Sequence, residues 1–135
     1  ESPNDIDTRI EVIRRRDSFD RDRAAFQKEW HDRDMDLRAR ILTAREALAH
    51  VDADDQILRD CAQLCVALGS DGLRGELTLL RAARALAAFE SEPSVTREHL
   101  RRVAPSSLRH RLRRDPLDEA GSTTRVHRTV EEILA

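Results

Sequence analysis

The chain has 135 residues, of which 37% are charged and only 3% are aromatic. That length fits one compact domain, so residues 1–135 are expected to form a single domain. The composition excludes a disulfide scaffold, a membrane span and a fully disordered chain. Four Gly and four Pro are too few for an all-β protein with many tight turns. Richness in Ala, Leu, Arg and Glu favours helices instead.

The overall charge is nearly balanced, with 24 basic and 26 acidic residues. A protein that binds nucleic acid is usually more basic, so no nucleic-acid partner is predicted. The balance is uneven, because residues 97–114 contain seven Arg and one Glu. This basic cluster suits contact with an acidic partner surface or with phosphates. Two Cys, without a signal peptide or a long apolar run, predict a cytoplasmic location.

The first third of the chain predicts two helices. Asp7 or Thr8 can cap the first, which runs to about Ser18. Asp20 can cap a second, long helix over residues 23–51, where no Gly or Pro occurs and apolar residues recur at spacings of three, four and seven. The polar stretch 31–34 is the one place where this helix could break.

The rest of the chain predicts four further helices, separated by caps, glycines and prolines. They run from Asp52 or Asp54 to Gly69, from the 70–76 loop to Phe89, from Thr96 past a kink or split at Pro105 to Leu112, and from Val126 to Leu134. Residues 117–124 are expected to form an extended linker. The fold class is therefore an all-α helical bundle with one long helix and an extended C-terminal tail.

Residues with catalytic or metal-binding chemistry are sparse. No glycine-rich phosphate loop and no nucleophile with a partnered base is recognisable. Cys61 and Cys65 share a helix face and could supply half of a metal site, but their apolar neighbours favour a core role. No metal site is predicted. Surface positions are predicted for all five histidines: His31, His50, His99, His110 and His127.

Arg74 is the strongest candidate functional residue. It stands between Gly72 and Gly75 at the predicted start of a helix. Glycine inside a helix costs about 0.5–1 kcal/mol relative to alanine, which suggests a need for close backbone approach or conformational freedom. A helix N-terminus disfavours a cation but favours an anion. An arginine that senses phosphate and an ordinary surface arginine both remain open on these grounds.

Three blocks of the sequence, residues 9–17, 64–88 and 108–123, closely resemble the ATPase (I) subunits of magnesium chelatase. The amino-acid sequence of these blocks is more similar to the bacteriochlorophyll branch of that family than to the chlorophyll branch. The resemblance implies the C-terminal helical lid of an AAA+ protein whose N-terminal nucleotide-binding domain lies outside this chain. Arg74 matches the sensor-2 arginine, which contacts nucleotide phosphates at a subunit boundary.

The resemblance also implies an activity and partners. The family uses ATP and Mg²⁺ and drives insertion of Mg²⁺ into protoporphyrin IX, a ligase reaction that forms metal–nitrogen bonds. Its I subunits form hexameric rings and act with a D subunit and a porphyrin-binding H subunit. The charge of residues 109–124 suits a contact between subunits. By itself the fragment is expected to bind no cofactor and to be inactive.

Three alternatives to the lid of an I subunit remain. They are the lid of the related D subunit, the lid of a cobalt chelatase ATPase, and a free-standing helical interaction module. Residues 72–76 and 115–123 favour the I subunit over the D subunit.

Overall fold

The computed structural model describes residues 5–70, 72–110, 112 and 121–135. Its helices are α1 (Ile6–Arg21), α2 (Arg23–Ala47), α3 (Asp55–Ala67), α4 (Arg74–Phe89), α5 (Arg97–Leu108) and α6 (Ser122–Leu134), with a 3₁₀ turn at Leu48–His50. Among these described residues there is no strand, only two isolated bridges. The predicted all-α fold with one long helix is confirmed.

The described chain separates into two units, one up to Arg40 and one from Ile41 onwards. The first unit contains α1 and most of α2. Phe19 and Phe26 pack edge to face at 5.6 Å, and Phe26 stacks on Trp30 at 5.6 Å. The expectation of a single domain over residues 1–135 stays a prediction.

The helix caps in the first unit differ from those predicted. Asp5 caps α1, because its carboxylate accepts hydrogen bonds from the Thr8 amide at 2.8 Å and hydroxyl at 2.6 Å. Asp22, not Asp20, precedes α2 and accepts a hydrogen bond from the Ala25 amide at 3.0 Å. In both helices the capping carboxylate accepts a hydrogen bond from the backbone amide three residues later, which is the usual geometry of an N-cap. The polar stretch 31–34 does not break α2.

The second unit contains the hydrophobic core. Helices α3 and α5 each contact the three other helices of the group α3–α6. Alanines on α4, including Ala83 and Ala87, are fully buried, and such small side chains allow close packing of helices. A parallel bridge between Asp52 and Ser94 joins the start of α3 to the loop before α5.

Two boundaries in the second unit also differ from the predictions. Helix α5 continues through Pro105 but ends at Leu108 rather than Leu112. Helix α6 begins at Ser122, so the last residues of the predicted linker are helical. The rest of the predicted linker, residues 117–120, lies outside the described residues. None of the described helices has the length and apolar character needed to cross a membrane.

Candidate functional site

The site around Arg74 begins where α3 ends. Gly69 has a φ of 68°, in the left-handed region that favours glycine. Its amide donates to the Val66 carbonyl at 3.0 Å, and the Ser70 amide donates to the Cys65 carbonyl at 2.9 Å. These two bonds form a Schellman motif, which satisfies terminal carbonyls of α3 and reverses the chain. The predicted capping role of Gly69 is confirmed.

The two glycines that flank Arg74 meet different needs. Gly72 has a φ of 66° and so takes a left-handed turn that other residues rarely adopt. Gly75 is buried in the first turn of α4, and a Cβ there would lie 2.5 Å from Ser70 Oγ and 3.1 Å from Cys65 Sγ. Only glycine lets α4 start this close to the end of α3. The predicted close backbone approach is therefore present, at Gly75.

Arg74 is the first residue of α4, and its side chain is exposed. It forms no ion pair and no side-chain hydrogen bond with any residue that the structure describes. The preceding residue, Leu73, supplies no side-chain cap to the first turn. Amide groups at such a helix start carry partial positive charge. A guanidinium beside them forms an arrangement that can bind an anion such as a phosphate.

The two cysteines lie behind this loop in the core. Cys61 and Cys65 are both buried and both free. Burial, followed by nearby negative charges, raises the pKa of Cys61 to about 11 and that of Cys65 to about 12. Their thiols stay protonated near neutral pH, so both residues pack as small apolar groups. The predicted core role is confirmed, and the described residues contain no cluster of three ligands suited to a metal ion.

One histidine departs from the prediction of surface positions. His99 is buried, and its ring completes a capping box at the start of α5. Its Nδ1 accepts a hydrogen bond from the Thr96 amide at 2.9 Å, and its Nε2 lies 3.3 Å from a Glu90 carboxylate oxygen. The prediction was wrong for His99 because here histidine occupies the capping-box position where Glu or Gln is usual.

The ion pair between Asp60 and Arg97 was not predicted from the sequence. Asp60 is 1% exposed and pairs with Arg97 Nε at 2.7 Å, linking α3 to α5. Burial disfavours the charged carboxylate, but the hydrogen bonds from Arg97 and Gln56 outweigh it and leave the pKa of Asp60 below its ordinary value. A signal existed, because Asp60 lies on the apolar stripe of α3, three residues after Ile57 and four before Leu64.

Some arginines of the predicted basic cluster, residues 97–114, form ion pairs or hydrogen bonds with other residues of the second unit. Arg97 pairs with Asp60, Arg102 pairs with Glu90 at 2.6 Å, and Arg101 donates to the Leu134 carbonyl. Arg111, Arg113 and Arg114 lie outside the described residues. Within the described part, three arginines of the cluster thus hold helices together.

The amino-acid sequence is similar to those of known proteins. A family described as "AAA lid domain" matches residues 58–133, which is more than half of the chain. The chain belongs to the AAA lid domain family. The match covers α4 and Arg74, together with nearly all of α3, α5 and α6.

The chain is also similar to magnesium chelatase subunits. It is 66% identical over 98% of its length to the magnesium-chelatase 38 kDa subunit of Rhodobacter capsulatus, and 62% identical, again over 98%, to that of Cereibacter sphaeroides. It spans 38% and 40% of the length of these two relatives. The predicted resemblance is confirmed.

A solved structure of a complex between the BchI and BchD subunits of magnesium chelatase contains a similar chain. The sequence identity is 56%, the TM-score is 0.47, and the match covers all of this chain and 38% of that one.

Proposed function

We propose that this lid domain is part of the ATPase (I) subunit of a magnesium chelatase, in which it couples ATP hydrolysis to insertion of Mg²⁺ into protoporphyrin IX during bacteriochlorophyll synthesis. The observation that carries this proposal is the 66% identity to a magnesium-chelatase 38 kDa subunit over nearly the whole chain. The names of the relatives, which include subunit ChlI of Mesostigma viride, favour the I subunit over the D subunit.

In this proposal Arg74 is the sensor-2 residue. Among the described residues its guanidinium has no partner and the first turn of α4 has no side-chain cap, an arrangement that suits the terminal phosphates of a nucleotide held by the rest of the subunit. A cation near the terminal phosphate stabilises the charge that develops on its oxygens during hydrolysis. This attraction weakens when the phosphate leaves, so Arg74 favours one position of the lid before hydrolysis and another after it.

Further parts of the proposal concern the whole subunit. ATP and Mg²⁺ are used by the full-length protein, which forms a hexameric ring in the cytoplasm. The ring acts with a D subunit and a porphyrin-binding H subunit, and the complex is a ligase that forms metal–nitrogen bonds. The lid supplies one arginine and no other nucleotide-binding motif, so the isolated lid is inactive.

Replacement of Arg74 in the full-length subunit tests this role. Arg74→Ala should leave ATP affinity within about threefold, because most of the binding comes from the nucleotide-binding domain. Hydrolysis should fall at least about a hundredfold, since an arginine at a transferring phosphoryl group contributes a factor of this order or more. ATP binding is measured with a fluorescent analogue, and turnover by phosphate release.

Arg81→Ala is the matched control, because Arg81 is an exposed arginine of the same helix two turns further on. It should retain normal turnover and normal Mg²⁺ insertion in the presence of the partner subunits. Near-normal ATP turnover in Arg74→Ala would refute the sensor role.

A further inference from the structure

The loop that leads into Arg74 is anchored from α6. The Arg125 Nη2 atom donates a hydrogen bond to the Leu68 carbonyl oxygen at 3.2 Å, across 57 residues of sequence. Leu68 is the C-terminal cap of α3 and is fully buried. A cation at this position also interacts favourably with the partial negative charge at the end of α3.

Gly69 lies close to this contact. A Cβ at Gly69 would lie 4.0 Å from Arg125 Nη2, so the guanidinium rests directly beside the residue that turns the chain. The side chain of Arg125 therefore bonds to the turn at Leu68 and lies near the next residue, Gly69.

The same loop is held on another side by the segment after α5. Ser70 forms an isolated antiparallel bridge with Leu112, and Leu112 packs against the core. On its far side Ser70 lies against Gly75 at the start of α4. Residues 68–70 are thus held by α6, by Leu112 and by the packed start of α4.

We propose that Arg125 is a positioning residue for Arg74. By fixing the Leu68 carbonyl and the turn at Gly69, it sets where α4 begins and therefore where the Arg74 guanidinium meets phosphate. This inference rests on the proposed sensor role of Arg74. Displacements of about 1 Å in a phosphoryl-transfer site can cost about a hundredfold in rate, so a misplaced α4 start has a measurable effect.

Two substitutions of Arg125 in the full-length subunit test the inference. Arg125→Ala should lower kcat for ATP hydrolysis at least about tenfold and leave KM within about threefold, because most of the ATP binding comes from the nucleotide-binding domain rather than from Arg74. Arg125→Lys keeps a cation and a donor and should recover most of the lost kcat. Arg128→Ala, an exposed arginine on the same helix, is the control and should change neither constant.

Hydrogen exchange provides a readout that is independent of activity. In Arg125→Ala, the amides of residues 68–76 should exchange about tenfold faster, while those of the buried half of α5 should not change. A residue that merely stabilises the fold would instead lower the melting temperature and raise exchange throughout α3–α6, with kcat unaltered.

The outcomes separate the two proposals. A normal kcat in Arg125→Ala, or unchanged exchange of residues 68–76, overturns the positioning role. If Arg74→Ala itself keeps normal turnover, the sensor role fails, and local exchange in Arg125→Ala still decides whether Arg125 fixes the loop.

Discussion

From residue 5 to residue 40 the described chain contains no buried residue, whereas α3 alone buries five. Both regions are helical and rich in charge. In α1, arginines pair with acids one turn away: Arg15 with Glu11, Arg16 with Asp20 and Arg21 with Asp17. These exposed pairs each contribute only a few tenths of a kcal/mol.

In the second unit the arginines work over long sequence distances. Arg97 and Arg125 bond to residues 37 and 57 positions away along the chain, and so join α5 and α6 to α3 and its C-terminal cap. The arginines of the described chain therefore have two structural roles. Local pairs support helices that lack a core, and tertiary pairs fix the relative positions of helices that have one.

The largest expected contrast between the units comes from removal of a core side chain. Leu64 is fully buried in α3, and Leu64→Ala should lower the free energy of unfolding by about 3 kcal/mol through lost apolar contact and a cavity. Ile13 is 66% exposed in α1, and Ile13→Ala should change stability by less than about 0.5 kcal/mol. Urea denaturation followed by circular dichroism measures both, and equal effects would refute the contrast.

A smaller effect is expected for the ion pair between Asp60 and Arg97. Asp60→Asn should cost about 2 kcal/mol, the usual worth of a part-buried hydrogen bond to a charged group. Asp17→Asn in α1 is the matched control, because its pair with Arg21 is exposed, and its effect should be within about 0.5 kcal/mol. Similar midpoints for the two variants would show that burial of the pair is irrelevant.

The same pair predicts a pH dependence. The pKa of Asp60 is lowered from 3.8 in the folded state, so its contribution is complete above pH 3.8 and is lost as the pH falls through the folded value. Below about pH 4 the wild-type protein should therefore lose stability more steeply than Asp60→Asn. If the free energy of unfolding falls equally steeply below pH 4 in the wild type and in Asp60→Asn, this assignment is contradicted.

The smallest expected effect concerns the first unit. Trp30 is the only tryptophan, and the guanidinium carbons of Arg15 and Arg33 lie 4.6 Å and 4.8 Å from the centre of its ring. Arg15→Gln should cost about 0.5 kcal/mol and shift the tryptophan emission spectrum. Glu11→Gln removes the ion pair of Arg15 but keeps the stacking, so its emission should be unchanged. An identical shift in both variants would assign the effect to the ion pair.

The sequence predicted features that depend on neighbours within a few residues. Helix caps at Asp54 and Thr96, the turn at Gly69 and the apolar face with Cys61 and Cys65 all follow from spacings of one to four residues. Local patterns also misled where two aspartates competed for one cap, as at Asp5 and Asp22. The resemblance to magnesium chelatase subunits depended on continuous blocks of residues and needed no structure.

Contacts between side chains of different helices follow from how the helices pack, and the sequence pattern did not predict them. The burial of His99, the partner of Asp60 and the reach of Arg125 to Leu68 depend on helix packing, which periodicity does not encode. The sequence singled out Arg74 and its two glycines. Packing assigned Gly75 to close contact and Gly72 to a left-handed turn, because steric limits depend on which atoms of other segments lie nearby.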